Sequence, residues 1–270
     1  MKNSLIYMVL DSCRFDCFQE AHTPNFDLLG QVQKRYSFAS WTSPAHQFLL
    51  MGQVPHENSN EQLASQVYEK EYKKWAGRLG IDSLEYKHFL PELSLPRVLK
   101  AHGYETHARV SLPVLNPKSG MERFFDSYRL MDGLNEFSVM VEEILASQSS
   151  NEQFWFLNLG ETHYPYCLQG EEIPHLSGIH GVLKSLTKGV GIQGYQVEDE
   201  LLKRCKEAQI KAVERLDREF SRLMDGVAES CYFIVTADHG ELFGEDGFFG
   251  HGPMIHEKVF EVPFLEGKRR

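Results

Sequence analysis

The chain has 270 residues, of which 42% are hydrophobic and 24% charged, with 21 glycines and 11 prolines. This length is sufficient to bury a core, and the composition excludes collagen-like, low-complexity and largely disordered chains. Lysine and arginine total 28 against 38 for aspartate and glutamate, which gives a formal net charge of -10. Such a chain has no general attraction for nucleic acid or an anionic membrane, and neither is an expected partner. An anionic ligand would need local cations, a metal ion or a helix N-terminus.

Cysteine usage and the N-terminal residues together predict a cytoplasmic protein. The five cysteines have neither a disulfide framework nor zinc-ribbon spacing; they are Cys13, Cys17, Cys167, Cys205 and Cys231. The first apolar run, Leu5 to Leu10, is too short for a signal-peptide core, and no other run approaches membrane-spanning length.

Short apolar runs alternate with amphipathic patterns along the chain. The runs predict strands, at Leu5–Leu10, Thr106–Val110, Gln153–Leu159 and Cys231–Val235. Apolar residues at helical spacing predict helices, at Ser94–His102, Leu134–Leu145 and Glu207–Met224. This alternation predicts an α/β fold, a three-layer α/β/α sandwich with a mostly parallel central sheet, as one domain over 1–270. Two stretches of different composition, 57–87 and 168–195, are expected to be excursions on the substrate side, although simple surface loops are an alternative for the second.

Polar side chains of unusual chemistry follow the predicted strands. Asp11 follows the first strand, His163 comes shortly after the third, and Asp238 with His239 follows the last. In open parallel sheets, ligands bind beyond the carboxyl ends of the strands, so these groups are expected to converge. Any one of them alone is more often a turn or capping residue. Together they favour a divalent metal ion, since clustered carboxylates would otherwise repel each other. Zn²⁺ or Mn²⁺ suits such oxygen and nitrogen ligands better than Ca²⁺ does.

The segment SWTSPAHQFLLMG, residues 40–52, predicts a helix with a well-formed start. Ser43 is a favourable N-cap before Pro44, and the helix is expected to run through Leu50 and to end at Gly52. One interpretation is a capped helix with no further role. The other places Thr42 beside a helix N-terminus that can hold a phosphate or sulfate group. These residues alone do not separate the two.

Several blocks in order along the whole chain resemble the alkaline phosphatase superfamily, in particular its sulfatase-like branch. MVLDSCRFD and TPNFD resemble the opening metal-ligand segment, and WTSPAHQFLLMG resembles the nucleophile motif. LPRVLKAHGYET resembles the helix and strand that follow, and ETHYPY resembles a His-x-Pro substrate-binding segment. TADHGELFGEDGFFGHG resembles the second metal block, and VFEVPF resembles a late strand of the family.

The resemblance implies roles for individual residues. It implies that one divalent metal ion is held by four ligands, namely Asp11, Thr42, Asp238 and His239. Thr42 would also be the catalytic nucleophile. His163 and His251 stand where relatives have ligands of a second metal or groups that grip the substrate's oxygens. Arg14 is expected either to neutralise charge at the same edge or to form a structural salt bridge.

Three departures from the sulfatase pattern bear on the reaction. Thr42 stands where sulfatases have the Cys or Ser that is oxidised to formylglycine, and threonine cannot undergo that conversion. His46 replaces an arginine, and Ser12 replaces a second aspartate that a calcium site would use. These changes favour relatives that transfer or hydrolyse phosphate groups with a Thr or Ser nucleophile.

The sequence therefore predicts a metal-dependent hydrolase of phosphate mono- or diesters, acting on a small anionic ester through Thr42. A sulfatase-like hydrolase of sulfuric or phosphonate esters is the alternative within enzymes. A catalytically silent protein that binds a metal or an anion is the alternative from another class.

Overall fold

A computed structural model describes residues 4–50, 73–84, 94–147, 149–166, 199–252 and 255–268. The strands are β1 (Leu5–Leu10), β2 (Gln33–Tyr36), β3 (Glu105–Val110), β4 (Ser127–Leu130), β5 (Gln153–Leu159), β6 (Tyr232–Ala237), β7 (Leu242–Phe243), β8 (Phe249–Gly250) and β9 (Glu261–Gly267). The labelled helices are α1 (Phe15–Glu20), α2 (Thr42–Leu50), α3 (Leu95–Ala101), α4 (Phe137–Ala146), α5 (Asp199–Gly226) and α6 (Glu257–Phe260).

The central sheet has seven strands in the order β2-β9-β6-β1-β5-β3-β4. β1 lies in the middle and pairs in parallel with β5 on one side and β6 on the other. β9 is antiparallel to both of its neighbours, β2 and β6. The parallel centre of the sheet thus brings the carboxyl ends of β1, β5 and β6 to one edge.

Helices cover both faces of this sheet, and the side chains of β1 show why. Ile6, Met8 and Leu10 pack in a cluster with side chains of α4 and α5. The alternate residues, including Leu5 and Tyr7, pack on the other face with side chains of α2 and α3. A strand buried on both faces must be apolar at every position, which is the run seen in the sequence. The predicted three-layer sandwich with a mostly parallel sheet is confirmed.

Element boundaries differ from the predicted ones where the local signal is weak. α2 begins at Thr42 rather than after a cap at Ser43, so Thr42 lies in the first turn of the helix. α5 begins at Asp199, well before the predicted Glu207, because its amphipathic pattern extends towards the N-terminus. The short strands β2 and β4 were not predicted, since QKRY and SYRL are largely polar edge strands. The predicted helix end at Gly52 lies outside the described residues.

The described part of the first predicted excursion contributes to the hydrophobic core. Residues 73–79 are helical, and Trp75 and Leu79 are buried in the cluster beneath α2 and α3. The second predicted excursion, 168–195, lies outside the described residues. The single domain over 1–270 stays a prediction. Among the helices that the structure describes, none is long and apolar enough to span a membrane.

Candidate active site

Strand register brings Asp11 and Asp238 together at the carboxyl edge of the sheet. Leu10 pairs with Leu159 on β5 and with Ala237 on β6, so the residue after each strand lies at the same level. Asp11 and Asp238 occupy two of these positions, and they are 0% and 1% exposed. The sheet therefore places two buried carboxyl groups side by side, as the strand-end argument predicts.

A strained turn after Asp11 links the two carboxyl groups. Ser12 has a φ of 60°, a left-handed conformation that costs energy for a residue with a side chain. In this conformation the Ser12 amide donates a hydrogen bond to Asp238 Oδ1 at 3.0 Å. The strain is thus offset in part by a buried hydrogen bond at the site.

Thr42 enters the same site from the first turn of α2. Its hydroxyl oxygen lies 3.4 Å from His239 Nε2 and 3.5 Å from Asp11 Oδ1. Thr42 is 6% exposed. The structure brings together all the residues predicted as ligands of the first metal ion, although they come from distant segments of the chain.

The ring of His239 presents an unprotonated nitrogen to this cluster. His239 Nδ1 lies 2.9 Å from the carbonyl oxygen of Gly240, so the ring proton is assigned to Nδ1, which donates to that oxygen. Nε2 then carries a lone pair and lies 3.2 Å from Asp238 Oδ2. Burial and the nearby His251 lower the pKa of His239 well below its usual value, which keeps the ring neutral.

The hydrogen bonding of Asp238 leaves room for a cation. Its Oδ1 accepts from the amides of Ser12 and His239, whereas its Oδ2 is buried and has no hydrogen-bond partner. Burial and the neighbouring Asp11 raise the pKa of Asp238 well above its usual value. Burial also opposes ionisation of Asp11, but the surrounding histidines and the Asn158 amide hold its pKa below the usual value. A divalent cation would supply the missing partner and the missing positive charge, so the donor set fits one.

His46 lies beside this cluster and was noted in the sequence only as a departure from the sulfatase motif. One ligand atom from each of Asp11, His46 and Asp238 lies within 4.8 Å of the others, a spacing compatible with a metal ion. However, His46 Nδ1 lies 2.9 Å from the Thr42 carbonyl oxygen, a closer contact than the 3.5 Å to Asp238 Oδ2. Its Nε2 lies 3.1 Å from the amide nitrogen of Asn158. Because both ring nitrogens have partners, we assign His46 to the support of the site rather than to the ligand set.

Asn158 connects this support to Asp11. It lies within β5, and its side-chain amide donates to Asp11 Oδ2 at 2.8 Å as well as facing His46. Its side-chain oxygen accepts from the amides of Ser111 and Leu112. In the sequence, Asn158 stands out only as a single amide within the apolar run QFWFLNL.

His163 and His251 lie next to the four-residue cluster. Their ring centroids are 5.3 Å apart, and the rings of His239 and His251 are 4.3 Å apart. His163 Nδ1 lies 2.7 Å from the carbonyl oxygen of Tyr164, and His251 Nδ1 lies 3.4 Å from the Ser12 hydroxyl. Both residues are partly exposed, unlike His239. They are therefore accessible to a ligand at the rim of the cluster.

Arg14 is engaged elsewhere. Its guanidinium group forms ion pairs with Asp16 at 2.6 Å and with Glu245 at 2.5 Å, and it lies over the ring of Phe243. Arg14 itself is 3% exposed. Of the two roles expected for it, the structure favours the structural salt bridge.

No protein-family model matches the chain, and no curated protein sequence matches it. Solved structures do match. The C-terminal periplasmic domain of EptC from Escherichia coli has 12% identity and a TM-score of 0.62, and the match covers 100% of this chain and 73% of that one. The phosphonate monoester hydrolase of Agrobacterium radiobacter has 13% identity and a TM-score of 0.65, and the match covers 98% of this chain and 68% of that one. A protein in the alkaline phosphatase superfamily from Vibrio parahaemolyticus has 14% identity and a TM-score of 0.53, and the match covers 99% of this chain and 60% of that one.

These similarities define the fold of the chain, which is that of the alkaline phosphatase superfamily. The resemblance inferred from the sequence is confirmed at this level. A second structure of the E. coli EptC domain is a complex with zinc, so a protein of this fold binds that metal. By their names, one of the similar proteins is a phosphonate monoester hydrolase, and another, EptC from Campylobacter jejuni, is a phosphoethanolamine transferase.

The predicted cytoplasmic location is wrong on this evidence, because several of the similar structures are periplasmic domains of EptC. The prediction relied in part on the unpaired cysteines, and the structure explains why they misled. The cysteines that the structure describes are buried, and burial raises the pKa of the thiols of Cys17 and Cys231. Buried, protonated thiols react slowly with disulfides, so they stay free in either redox environment.

Proposed function

We propose that the chain is a metal-dependent enzyme that cleaves phosphate esters, mono- or diesters, with Thr42 as the nucleophile. The observation that carries this proposal is the position of the Thr42 hydroxyl, within 3.5 Å of both His239 Nε2 and Asp11 Oδ1. Asp238 Oδ2, which has no partner, belongs to the same cluster. A hydroxyl group in such surroundings can be activated at neutral pH.

The residues that would hold the metal ion are Asp11, Thr42, Asp238 and His239. When bound there, a divalent cation supplies positive charge that lowers the pKa of the Thr42 hydroxyl and polarises the ester. Zn²⁺ and Mn²⁺ both suit these ligands. The zinc complex of E. coli EptC, which has the same fold, supports zinc as the first ion to test.

The chain's own groups would carry out the chemistry in two steps. Thr42 Oγ1 gives up its proton to solvent and attacks phosphorus in line, so that a bond from this oxygen to phosphorus forms while the bond from phosphorus to the leaving oxygen breaks. The leaving oxygen takes up a proton from water and departs as the alcohol. Amides of the first turn of α2 and the rings of His163 and His251 would bind the non-bridging oxygens as charge builds on them. Water then attacks phosphorus and the bond from phosphorus to Thr42 Oγ1 breaks. Thr42 takes up the proton that the attacking water gives up, and inorganic phosphate or a monoester is released.

Two other reactions are compatible with this fold and differ from the proposal in one step. In a transferase, the hydroxyl group of a second substrate replaces water, and EptC from Campylobacter jejuni is named as a phosphoethanolamine transferase. In a sulfatase, the ester is a sulfate, as in the 2-O GAG sulfatase BT1596. Thr42 argues against the sulfatase, because threonine cannot be converted to formylglycine.

The test compares the hydrolysis of p-nitrophenyl phosphate, bis-p-nitrophenyl phosphate and p-nitrophenyl sulfate, which all release the same phenol. The protein is stripped with a chelator, reconstituted with Zn²⁺ or Mn²⁺, and compared with Thr42→Ala. We expect turnover of a phosphate ester that requires both the metal and Thr42. Turnover of the sulfate alone would contradict the proposal in favour of the sulfatase. Tight metal binding with no turnover of any ester would favour a silent binding protein.

A further inference from the structure

Gln209 is a polar residue on the buried face of a long amphipathic helix. It lies in α5 among apolar side chains such as Cys205, Ala212 and Leu216, and it is 0% exposed. Burying an amide side chain is unfavourable unless all of its polar atoms find partners. The groups that form hydrogen bonds with the Gln209 side chain therefore indicate why a polar residue lies at this buried position.

The side-chain amide of Gln209 has four partners within hydrogen-bond distance, all far away in sequence, and three of them share the two N–H groups of Nε2. Its Oε1 accepts from the Arg14 amide at 3.1 Å. Its Nε2 lies 3.0 Å from each of three oxygens, which are the carbonyls of Ser12 and Thr162 and Glu241 Oε1. The backbone amide can only donate and the carbonyls can only accept, so the orientation of the Gln209 amide is unambiguous.

These partners belong to the three turns that carry the candidate active site. Ser12 follows Asp11 in the first turn. Thr162 precedes His163 in the second, and its hydroxyl donates to the Asp11 carbonyl oxygen at 2.8 Å. Glu241 lies in the third turn, shortly after His239, and its Oε2 is 3.9 Å from His251 Nδ1.

The turns need such a connection because they lie beyond the regular sheet. Paired residues of the parallel strands end at Leu10, Leu159 and Ala237. Past these residues the spacing between turns depends on side chains and on isolated backbone hydrogen bonds. Gln209 contacts all three turns from one point on a rigid helix of 28 residues.

We propose that Gln209 is a positioning residue, which holds the Ser12, Thr162 and Glu241 turns at the spacing that the metal and substrate groups require. The effect on metal binding and catalysis rests on the function proposed above. The effect on the turns themselves does not, because it requires no ligand.

The test compares two variants on the same helix in the full-length, metal-free protein. Gln209→Met keeps a similar length and removes every hydrogen bond of the amide. The matched control is Asp217→Asn, two turns further along α5. Asp217 is also buried, and it accepts from the amides of Asn25 and Phe26, in a loop apart from the candidate site.

The first readout is hydrogen exchange of backbone amides. In Gln209→Met, we expect exchange to be at least about tenfold faster at the amides of Asp11, Ser12, His163 and His239. The Arg14 amide is left out because it loses its acceptor directly. In Asp217→Asn, the remaining side-chain oxygen can still accept from the Asn25 and Phe26 amides. Exchange at the three turns is therefore expected to stay as in the unmodified chain, and any increase should be confined to the loop of Asn25 and Phe26. Unchanged exchange at the three turns in Gln209→Met would overturn the proposal.

The second readout is the affinity for Zn²⁺, measured against a competing chelator. Gln209→Met is expected to bind zinc about 10 to 100 times more weakly than the unmodified chain, whereas Asp217→Asn binds it equally well. If the unmodified chain binds neither Zn²⁺ nor Mn²⁺, the proposed function fails, and the exchange result still decides the role of Gln209. If Gln209→Met does not fold, Gln209→Glu replaces it. Glutamate keeps the acceptor for the Arg14 amide and removes the donors, so the same turns should exchange faster.

Discussion

The hydroxyl group of Thr42 lies 3.4 Å from Nε2 of His239, although the two residues are 197 positions apart in the sequence. His239 Nε2 is the ring nitrogen that carries the lone pair, because the other nitrogen donates to the Gly240 carbonyl oxygen. The first turn of a helix and the end of a central strand thus meet at a pair of groups that suit one metal ion.

Thr42→Ala is expected to lower the turnover of phosphate esters by about 10³-fold or more, because it removes the attacking oxygen. Thr42→Ser keeps that oxygen and is expected to retain measurable turnover. Ser43→Ala removes the next hydroxyl along α2 and serves as the control, with activity close to that of the unmodified chain. Equal activity of Thr42→Ala and Ser43→Ala would exclude Thr42 as the nucleophile.

Asp238→Asn is expected to have opposite effects on the metal-free and the metal-loaded protein. Without metal, the variant should be the more stable one at neutral pH. The raised pKa of Asp238 means that its buried carboxyl group is harder to ionise in the folded than in the unfolded state, and asparagine removes that cost. With zinc, it should gain less stability than the unmodified chain, because a ligand is lost. Thermal unfolding with and without a chelator measures both effects. The control is Asp132→Asn, since Asp132 is an exposed acid, and a variant that gained as much from zinc as this control would contradict the assignment.

Metal binding is expected to strengthen as the pH rises. The raised pKa of Asp238 favours the protonated carboxyl group in the metal-free protein, and a proton bound there must leave when a cation binds. His239 has a lowered pKa and is already neutral, so it should contribute no proton near pH 7. Calorimetric titration with Zn²⁺ in buffers of different ionisation enthalpy counts the released protons. Binding that releases no proton and is independent of pH would show that Asp238 is ionised before the metal arrives.

Glu161 is expected to make the protein less stable as the pH rises. Burial raises the pKa of Glu161 from 4.5 to about 7. One of its oxygens accepts from the Phe137 amide, and the other is buried without a hydrogen-bond partner. Between these two pKa values, the folded state binds more protons than the unfolded state. Its stability therefore falls as the pH rises through this window and is not regained above it.

Glu161→Gln should remove this dependence, because glutamine does not ionise and can still accept from the Phe137 amide. The expected gain at pH 8 is up to about 3 kcal/mol, from a shift of about 2.5 pH units at 1.36 kcal/mol each. The gain should vanish below pH 4. Urea unfolding at several pH values measures it, with the exposed Glu229→Gln as the control. A gain that does not vary with pH would mean that the carboxyl group itself is not responsible.

The sequence by itself determined the central strands of the sheet and the residues that follow them at its edge. The sequence predicts β1, β5 and β6, because a strand that is buried on both faces is largely apolar along its whole length. The sequence also predicts that Asp11, Asp238 and His239 converge, because they follow such strands and parallel strands end at one edge of the sheet. Thr42 required the resemblance to a known motif, since its own segment is equally consistent with a simple capped helix. The polar edge strands gave no comparable local signal.

Only the tertiary structure decided which polar groups support those residues. Asn158, His46 and Gln209 each act through hydrogen bonds to segments remote in sequence, and their direction depends on side-chain geometry that no spacing rule expresses. Arg14 shows the same limit, because the sequence did not indicate that its guanidinium group pairs with Glu245 and not with the four-residue cluster. The strands and helices of an α/β fold can be predicted from local patterns of apolar and polar residues. The partners of a buried polar group are chosen by whichever segments packing brings within about 3 Å, and packing is a property of the whole chain.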